Sequence, residues 1–513
     1  MSKLIDAMTK DTNYKLTENG GLAHKSTLSA VYDMFAFGGA YRTRSDADVI
    51  LLFKNAYEED RLYALKCLFY LRDVRGGQGE RRFWRVCAKW LANAHPDDVR
   101  VNLDCVPLYG RWDDLYTFVG TPVEKDAFKL MKHQLALDVQ CKTPSLLAKW
   151  LKSENTSSPE SRLLGNKTRS YFNMTHQQYR KTLSVLRKRI NVLERLMSAN
   201  EWDKIEFDKI PSKAGFIYRN AFARHDVERM KNENVKSYAD FAKDTTTKVN
   251  AKDLYPYEVV AKAYNFTYHN HYSWYGRKEI PLDNTERLMI NKYWDNLTNY
   301  FNGANLNALA MVDTSGSMWG TDAAAPINVA ISLGLYCAEK AKGPFHGNYI
   351  SFSRSPRLIK TEGVDFVDKV ERIYSTNLCE NTNLEAAFDL VLDTAIKNHL
   401  TQEDLPGSII VISDMEIDAA RGYRSYYFPH SDNNNTKTMM ENMRYRWNRA
   451  GYQMPKLIYW NVQARQNTIL DDGPNVSYVS GMSASIFEQI MKSKTGIELM
   501  LDKLNDERYS CIK

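Results

Sequence analysis

The chain has 513 residues, which predicts two to four domains with sizeable cores at roughly 100–200 residues per domain. Hydrophobic residues at 43% and charged residues at 26% exclude disordered and collagen-like chains. The net charge of +7 is unevenly distributed, with +11 on residues 1–300 and −4 on residues 301–513, which predicts a basic domain suited to nucleic acid joined to a mildly acidic one.

The sequence contains no uninterrupted apolar run of about 18 residues, so we expect no transmembrane helix and no membrane partner. The polar N-terminus lacks the apolar core of a secretory signal. The cysteines number seven, an odd count, without C-x-x-C or zinc-like spacing. We therefore expect reduced thiols and a cytoplasmic location, which for a phage or viral protein means the host cytoplasm or the virion.

From about residue 26 to 265 the apolar residues recur mostly at helical spacing, and convincing strands are scarce. This pattern predicts helices of 10–20 residues separated by short polar or glycine-containing breaks. We expect a HEAT-like α-helical repeat ring or arc over residues 1–300, although no fixed repeat period is visible. The apolar faces are Val49, Leu52, Phe53, Ala56 and Tyr57; Leu62, Leu65, Cys67, Leu68 and Phe69; Phe83, Val86, Cys87, Trp90 and Leu91; Phe128, Met131, Leu135 and Val139; and Leu183, Leu186, Ile190, Leu193 and Leu196.

The glycine-rich segment at 75–82 (RGGQGERR) resembles a phosphate loop but lacks the Lys-Ser/Thr of a Walker motif and follows a helical segment. We expect instead a helix–helix turn in which glycines adopt positive φ and Glu80 enters the next helix near its positive end. Arg75 and Arg81 either meet phosphate or pair with acidic residues, for which the candidates are Asp73, Asp113 and Asp114.

Residues 151–200 form the most basic segment, with 10 Lys and Arg against 3 Asp and Glu. Cations attract phosphate, and the neighbouring Tyr171 and Phe172 offer rings on which unpaired bases stack. The alternative is a solvated helix face with ordinary core aromatics, but the +11 balance of the region favours RNA or another polyanion. The candidate RNA-binding residues are Arg169, Arg180, Lys181, Arg187, Lys188 and Arg189.

After residue 300 short apolar runs alternate with helical segments, which predicts a doubly wound, Rossmann-like parallel sheet over residues 301–513. The predicted strands are Leu306–Val312, His346–Phe352 with its hairpin partner Arg357–Thr361, Ser408–Ser413, Lys456–Val462 and Val476–Val479. The predicted helices are Ile327–Ala341, Leu384–Ile396, Thr438–Arg449 and about Ile486–Leu504.

Oxygen-bearing side chains follow two of the predicted strands, at the carboxyl ends where ligands bind in such sheets. Asp313, Ser315 and Ser317 lie in the DTSGS turn, Asp414 follows the next buried strand, and Thr382 precedes a helix. Oxygen ligands without His or Cys suit Mg²⁺ or Mn²⁺. The alternative for DTSGS alone is an Asx turn that caps the following helix.

These five residues occur in the order and elements of a metal-ion-dependent adhesion site (MIDAS), so residues 304–505 resemble a von Willebrand factor A (VWA) domain. The resemblance implies that Asp313, Ser315 and Ser317 are primary ligands and that Thr382 and Asp414 contact the ion directly or through water. A serine nucleophile at Ser315 is excluded, because the segment lacks G-x-S-x-G and a suitably placed histidine.

The combination of a helical N-terminal region with a VWA-like region resembles the Ro autoantigen and its TROVE-module relatives. The phrases LRDVRGGQGER at 71–81, YGRWDD at 109–114 and SDMEID at 413–418 are similar to those of a Ro-related, largely uncharacterised family of plants, large viruses and phages. The first resemblance implies a ribonucleoprotein that binds small noncoding or misfolded RNA. It supplies no RNA-contacting residues for this chain.

An insertion after Asp414 carries Arg421, Tyr423, Arg424 and Tyr426, residue types that are common in binding hot spots. One interpretation is that this loop recognises the partner that engages the metal. The other is that it packs over the helical domain and closes the two domains together.

Taken together, the sequence predicts a non-enzymatic RNA-binding scaffold with a Mg²⁺ or Mn²⁺ site. The alternative is a metal-dependent protein–protein interaction or structural module, such as a component of a phage or viral particle, that captures an acidic side chain of its partner. An enzyme is not expected, because no base, nucleophile or nucleotide site stands out.

Overall fold

The computed structural model describes residues 12–271, 284–304, 306–352, 354–376, 382–417, 439–471, 473, 475–492 and 495–513. Two compact units account for the chain. The first unit, called here the sheet unit, comprises residues 1–67, 254–283 and 297–506; the second, the helical unit, comprises 68–253, 284–296 and 507–513. Within the described residues, no helix combines the length and apolarity that crossing a lipid bilayer requires.

The strands form a two-stranded antiparallel hairpin and a six-stranded sheet. The sheet has the order β5-β4-β3-β6-β7-β8, and all its neighbours are parallel except β5, which pairs antiparallel with β4 at the edge. The strands are β1 (Tyr14–Leu16), β2 (Leu22–His24), β3 (Ala308–Asp313), β4 (Asn348–Phe352), β5 (Arg357–Lys360), β6 (Ser408–Ser413), β7 (Lys456–Asn461) and β8 (Val476–Ser480).

The helices of the described residues divide between the units, and α3 runs across the boundary between them. In chain order they are α1 (Ala30–Phe37), α2 (Asp46–Glu59), α3 (Arg61–Arg72), α4 (Arg81–Ala94), α5 (Pro96–Val101), α6 (Cys105–Tyr109), α7 (Glu124–Gln140), α8 (Leu147–Trp150), α9 (Pro159–Phe172), α10 (His176–Arg189), α11 (Leu193–Ser198), α12 (Ser212–Arg224), α13 (Asp226–Arg229), α14 (Tyr238–Lys243), α15 (Pro256–His271), α16 (Asn284–Asp295), α17 (Pro326–Lys340), α18 (Phe366–Thr376), α19 (Leu384–Lys397), α20 (Met439–Arg449), α21 (Ile486–Lys492) and α22 (Gly496–Leu504).

The N-terminal residues of the sheet unit complete the β8 side of the sheet. The backbone N–H of Tyr478 in β8 donates to the Tyr32 hydroxyl of α1 at 2.9 Å, and Gly39 N–H donates to Ser480 Oγ at 3.0 Å. His24 and Ile469 exchange backbone hydrogen bonds as an isolated bridge. Residues far apart in the sequence therefore share one core, because an uncovered apolar sheet face would otherwise meet water.

The helical unit is closed by segments from both later parts of the chain. The Phe216 and Tyr293 rings join α12 to α16 with their centroids 5.1 Å apart. At the C-terminus, the buried Tyr509 donates its hydroxyl to Asp73 Oδ2 at 3.0 Å. The domain boundary predicted at 300/301 stays a prediction. Each compact unit contains segments from both sides of that position.

The predicted combination of helical and α/β structure is confirmed, and β6 has its predicted bounds. Two predicted helical runs are divided. The apolar run from 183 to 196 is two helices, because Asn191 adopts a φ of 47° that ends α10, and the last predicted helix is α21 and α22. The β1–β2 hairpin and α18 were not predicted from the pattern.

The glycine-rich segment is a helix–helix turn, as expected. Gly79 adopts a φ of 69°, and Glu80 lies at the N-cap of α4. Arg75 donates its backbone N–H to Asp73 at 2.9 Å, and the Arg81 guanidinium pairs with Asp113 at 2.6 Å. Pairing with an acidic residue is therefore confirmed for Arg81, whereas the Arg75 guanidinium donates to the Leu108 carbonyl at 3.0 Å.

A buried ion network explains the phrases at 71–81 and 109–114. Asp114 is 0% exposed and accepts hydrogen bonds from Arg72 Nε at 2.9 Å and Arg85 Nη2 at 2.8 Å. Burial alone would raise the pKa of Asp114, but the two guanidinium groups hold it below the ordinary value. The network ties α3, α4 and the turn at 109–114 together within the helical unit.

Replacing the buried carboxylate tests this network. Asp114→Ala leaves the 2%-exposed Arg72 without its partner, so we expect a loss of roughly 3–5 kcal/mol in the stability of the helical unit. Chemical denaturation followed by circular dichroism measures it. Asp97→Ala, which removes an 89%-exposed carboxylate, is the control and should leave the transition almost unchanged. Equal effects of both variants would contradict the assignment.

Candidate metal centre

Two buried acidic residues meet at one edge of the sheet because their strands are parallel neighbours. β3 and β6 pair in parallel at the centre of the sheet, with Val312 opposite Ile412. Asp313 is the last residue of β3, and Asp414 directly follows β6, so both lie at the carboxyl end. Both residues are 0% exposed. The sheet topology therefore brings together two carboxylates that are 101 positions apart in the sequence.

The turn after β3 adds two hydroxyls to this edge. Ser315 N–H donates to Asp313 Oδ1 at 2.9 Å, which is the Asx-type turn expected of D-x-S. The Ser315 and Ser317 hydroxyl oxygens are 3.2 Å apart. The Ser317 hydroxyl also interacts with the Asp414 carboxylate. The structure thus brings together Asp313, Ser315, Ser317 and Asp414.

The two carboxylates are short of compensating charge. Burial, followed by the charge of Asp414, raises the pKa of Asp313 to about 7. Burial also raises the pKa of Asp414, despite hydrogen bonds and the nearby Arg465. The Arg465 Nε lies 3.7 Å from Asp414 Oδ2, and the same guanidinium is 3.3 Å from Glu18. One partly exposed arginine is therefore shared between two acidic residues.

One oxygen of this edge is left without a hydrogen-bond donor. Asp414 Oδ2 is buried and accepts no hydrogen bond within the described residues. A buried carboxylate oxygen without a partner is costly, and a cation is the group that most directly removes the cost. Two carboxylates and two hydroxyls suit a hard divalent ion. In the described part of the chain no three His, Cys, Asp or Glu residues form a metal-ligating group, so such an ion would complete its shell with hydroxyls and water.

Thr382 is the fifth candidate ligand from the sequence, and its contacts differ from those of the other four candidates. It is 2% exposed and precedes Asn383, whose side chain accepts from Ala386 N–H at 3.0 Å and caps α19. Among the described residues, no hydrogen bond joins Thr382 to the other four candidates. Its place in the site stays a prediction.

Two residues that hold the site were missed by the sequence analysis. The Ser413 hydroxyl donates to Asp313 Oδ2 at 2.6 Å and accepts from Met415 N–H at 2.9 Å. Arg465 donates to the Ser317 carbonyl at 2.6 Å. Ser413 stands beside Asp414 in the quoted phrase SDMEID, which was a usable signal. Arg465 follows β7 in a segment without a motif, and only the tertiary structure connects it to the site.

The candidate RNA-binding cations fall into two groups. Arg169 pairs with Glu154 at 2.7 Å and donates to the Met174 carbonyl. Arg187 donates to the carbonyls of Ala148 and Leu151, each at 2.9 Å, so both arginines support the fold of the helical unit. The other four are exposed on α10, namely Arg180, Lys181, Lys188 and Arg189.

The partner-loop prediction lies outside the described residues. Arg421, Tyr423, Arg424 and Tyr426 all fall between 418 and 438, where the structure gives no description. Both interpretations of that insertion therefore stay predictions.

Comparison with known proteins relates both parts of the chain to families without an assigned activity. Residues 17–145 and 133–302 match the family model described as domain of unknown function DUF2828. Residues 307–509 match domain of unknown function DUF7788. An uncharacterized protein of Acanthamoeba polyphaga mimivirus is 29% identical over 521 aligned positions, which cover 94% of this chain and 85% of that protein. The expected relation to an uncharacterised family with a member in a large virus is thus supported.

The charge shortage at the site predicts a pH-dependent stability. The folded pKa of Asp313, about 7, exceeds the ordinary 3.8, so the folded protein holds a proton that the unfolded chain releases between these values. The stability of the metal-free protein should therefore fall as pH rises from about 4 to 7. Asp313→Asn should reduce this slope, leaving the share of Asp389, whose pKa burial also raises to about 7. The variant should be more stable than the wild type at pH 8, by roughly 2–4 kcal/mol at about 1.36 kcal/mol per pKa unit.

Denaturation in the presence of a chelator, at intervals between pH 5 and 8, measures this effect. Asn keeps an oxygen that accepts from Ser315 N–H, so the variant preserves the turn. Glu362→Gln, at an exposed position of the same unit, is the control and should follow the wild type. A wild-type protein that is more stable than Asp313→Asn at pH 8 without metal would contradict the charge analysis.

Proposed function

The chain belongs to the DUF2828 family, and we propose that it acts as a non-enzymatic scaffold that binds a divalent cation through its sheet unit and RNA through its helical unit. The observation that carries the proposal is the buried pair Asp313 and Asp414, with one carboxylate oxygen that accepts no hydrogen bond from the described residues. The proposed location is cytoplasmic, or the virion if the chain is viral.

The proposed ion is Mg²⁺ or Mn²⁺. Asp313, Ser315 and Ser317 would hold it, with Asp414 and Thr382 contacting it directly or through water, as in the MIDAS of the VWA domains that this region resembles. The ion supplies the positive charge that the two carboxylates lack. Arg465 would then serve Glu18 and the Ser317 carbonyl, the contacts it already makes. A shell of this composition leaves a coordination position for an outside ligand.

The proposed RNA function rests on charge and on the resemblance to Ro and TROVE-module proteins with HEAT-like repeats. The exposed cations on α10 would supply the phosphate contacts, and of these Arg189 also donates to the Val139 carbonyl at 2.9 Å. The resemblance is an analogy of architecture, so it supports the class of ligand and does not name the RNA.

A second candidate function is metal-dependent binding of a protein. The open position of the proposed ion suits a carboxylate from a partner, which would complete the shell in place of water. This alternative needs no RNA, and the partner would be a protein with an exposed acidic residue, including a component of a viral particle.

Metal binding should raise the thermal stability of the protein. Because a ligand that binds only the folded state stabilises it, millimolar Mg²⁺ or Mn²⁺ should increase the melting temperature of the chelator-treated wild type. Asp313→Ala should abolish the increase, and calorimetric titration with Mn²⁺ should detect no site in that variant.

The exposed Glu362→Gln serves as the control and should respond as the wild type does. An unchanged melting temperature of the wild type, together with the absence of calorimetric binding, would exclude the metal site. If a protein partner is found, persistence of that complex in chelator and with Asp313→Ala would exclude the second candidate.

RNA binding should depend on the exposed cations of α10 and on salt. The triple variant Lys181→Glu, Lys188→Glu and Arg189→Glu should weaken binding of a mixed small-RNA pool by roughly tenfold or more at 50 mM salt, because each cation contributes a phosphate contact. The wild-type affinity should fall steeply between about 50 and 200 mM salt. Filter binding or fluorescence anisotropy measures both effects.

The matched control reverses three exposed cations of the sheet unit, Arg357→Glu, Lys360→Glu and Lys397→Glu, and so changes the net charge equally. If both triple variants weaken binding to the same degree, the attraction is non-specific. If the wild type binds no RNA, or binds it without salt dependence, the RNA part of the proposal fails.

A further inference from the structure

A cavity of about 780 Å³ lies within the helical unit, formed by the segment around α8, by α10 and α11, and by the start of α12. Its volume falls within the roughly 300–1,000 Å³ of sites that hold small molecules. Its lining includes Lys149, Trp150, Arg180, Arg187, Glu194 and Tyr218.

The cavity is positively charged by cations without carboxylate partners. Arg187 donates to the Ala148 and Leu151 carbonyls and, at 3.0 Å, to Ser153 Oγ, all of which are neutral acceptors. Burial lowers the pKa of Arg187, as expected for a cation that has lost water without gaining an anion. Within the described residues, Lys149 and Arg180 also form no ion pair. Three positive charges therefore face one space.

The acidic residues of the lining do not cancel this charge. Glu154 is already bound, since it pairs with Arg169 at 2.7 Å and with His176 at 3.0 Å. Glu194 receives a long hydrogen bond from the Tyr218 hydroxyl at 3.4 Å, and its buried Oε2 accepts none from the described residues. The cavity therefore offers an unused hydrogen-bond acceptor beside an excess of cations.

Aromatic surface adjoins these charges. The Trp150 ring lines the cavity, with the Arg111 guanidinium 4.1 Å from its centroid and the Lys149 Nζ 5.8 Å away. Tyr218 and the buried Tyr179 also line it. Rings flanked by cations accept planar bases by stacking, while the cations hold the phosphate.

We propose that this cavity binds a nucleotide, either free or as an unpaired residue of single-stranded RNA. The phosphate would lie among Lys149, Arg180 and Arg187, the base would stack against Trp150, and an N–H of the base would donate to Glu194. The inference deepens the proposed RNA-binding function, and it locates one unpaired nucleotide on the side of α10 that carries Arg180, apart from Lys181 and Arg189 on the other side.

The opposite side of α10 lines a different depression. Residues 179, 180, 183, 184 and 187 line the cavity, whereas 178, 181, 182, 185 and 189 line that depression. The exposed Lys129 and Lys132 of α7 line neither, and the proposed RNA contacts do not include them. Reversing both is therefore the matched control for a charge reversal at the cavity.

The experiment is calorimetric titration of the full chain with adenosine monophosphate, with ribose 5-phosphate and with a five-residue oligoadenylate. We expect saturable binding of the nucleotide, weaker binding of the sugar phosphate because it lacks the base, and binding of the oligomer at one site per chain. Lys149→Glu with Arg180→Glu should weaken nucleotide binding by roughly tenfold or more, whereas Lys129→Glu with Lys132→Glu on α7 should change it by less than about twofold.

Trp150→Leu should reduce the difference between the nucleotide and the sugar phosphate, which a purely electrostatic site would not show. Circular dichroism confirms folding, and the milder Arg180→Gln replaces the double variant if that fails to fold. Binding of the oligomer but not of the monophosphate assigns the cavity to RNA, and the reverse assigns it to a free nucleotide. Wild-type protein that binds neither, or equal losses in both double variants, would overturn the inference.

These outcomes are separable from those of the proposed function. If the small-RNA pool binds and responds to the variant at 181, 188 and 189 while neither nucleotide probe binds, the cavity inference fails and the RNA function stands. If the pool does not bind but the monophosphate does, the cavity is a nucleotide site and the RNA function fails.

Discussion

A carboxylate that is buried in a protein needs a compensating positive charge or strong hydrogen bonds, and this requirement organises both units of the chain. In the helical unit, Asp113 and Asp114 are satisfied by arginines that converge from α3 and α4. In the sheet unit, Arg446 pairs with both Glu385 and Asp389, although burial still raises the pKa of Asp389 to about 7 and its Oδ1 accepts no hydrogen bond from the described residues. The buried pair Asp313 and Asp414 differs, since its nearest arginine is 3.7 Å away and is shared with Glu18.

This difference separates charged residues that are compensated within the fold from charged residues that we propose bind a ligand. The phrases at 71–81 and 109–114 are rich in charge, yet their buried charges pair with each other, and the glycine-rich segment is a helix–helix turn. Arg187 has features of both groups. It donates hydrogen bonds to neutral acceptors in the segment at 148–153, and its charge has no carboxylate partner among the described residues. The sheet edge and the cavity are thus two places where described charges are short of compensation. The buried Arg229 and Lys292 of the helical unit likewise donate to backbone carbonyls.

Local patterns sufficed to predict the parallel strands, since β3 and β6 are short apolar runs buried on both faces, and their order explains why Asp313 and Asp414 meet. The position of Arg465 was beyond prediction, because it depends on where the loop after β7 returns to the sheet edge. The same holds for the N-terminal residues, which complete the sheet unit through long-range contacts such as Tyr32 with β8. Periodicity also failed at Asn191, where one left-handed residue divides an apolar run.

The central claim is that Asp313 and Asp414 hold a divalent cation. A crystal structure of the chain grown with Mn²⁺, measured at a wavelength with strong manganese anomalous scattering, tests it most directly. A bound cation should give one anomalous peak at the carboxyl ends of β3 and β6, with oxygen ligands from Asp313, Ser315 and Ser317 at roughly 2.0–2.2 Å and Asp414 bound directly or through water. Well-ordered side chains at this edge with no anomalous peak between them would contradict it.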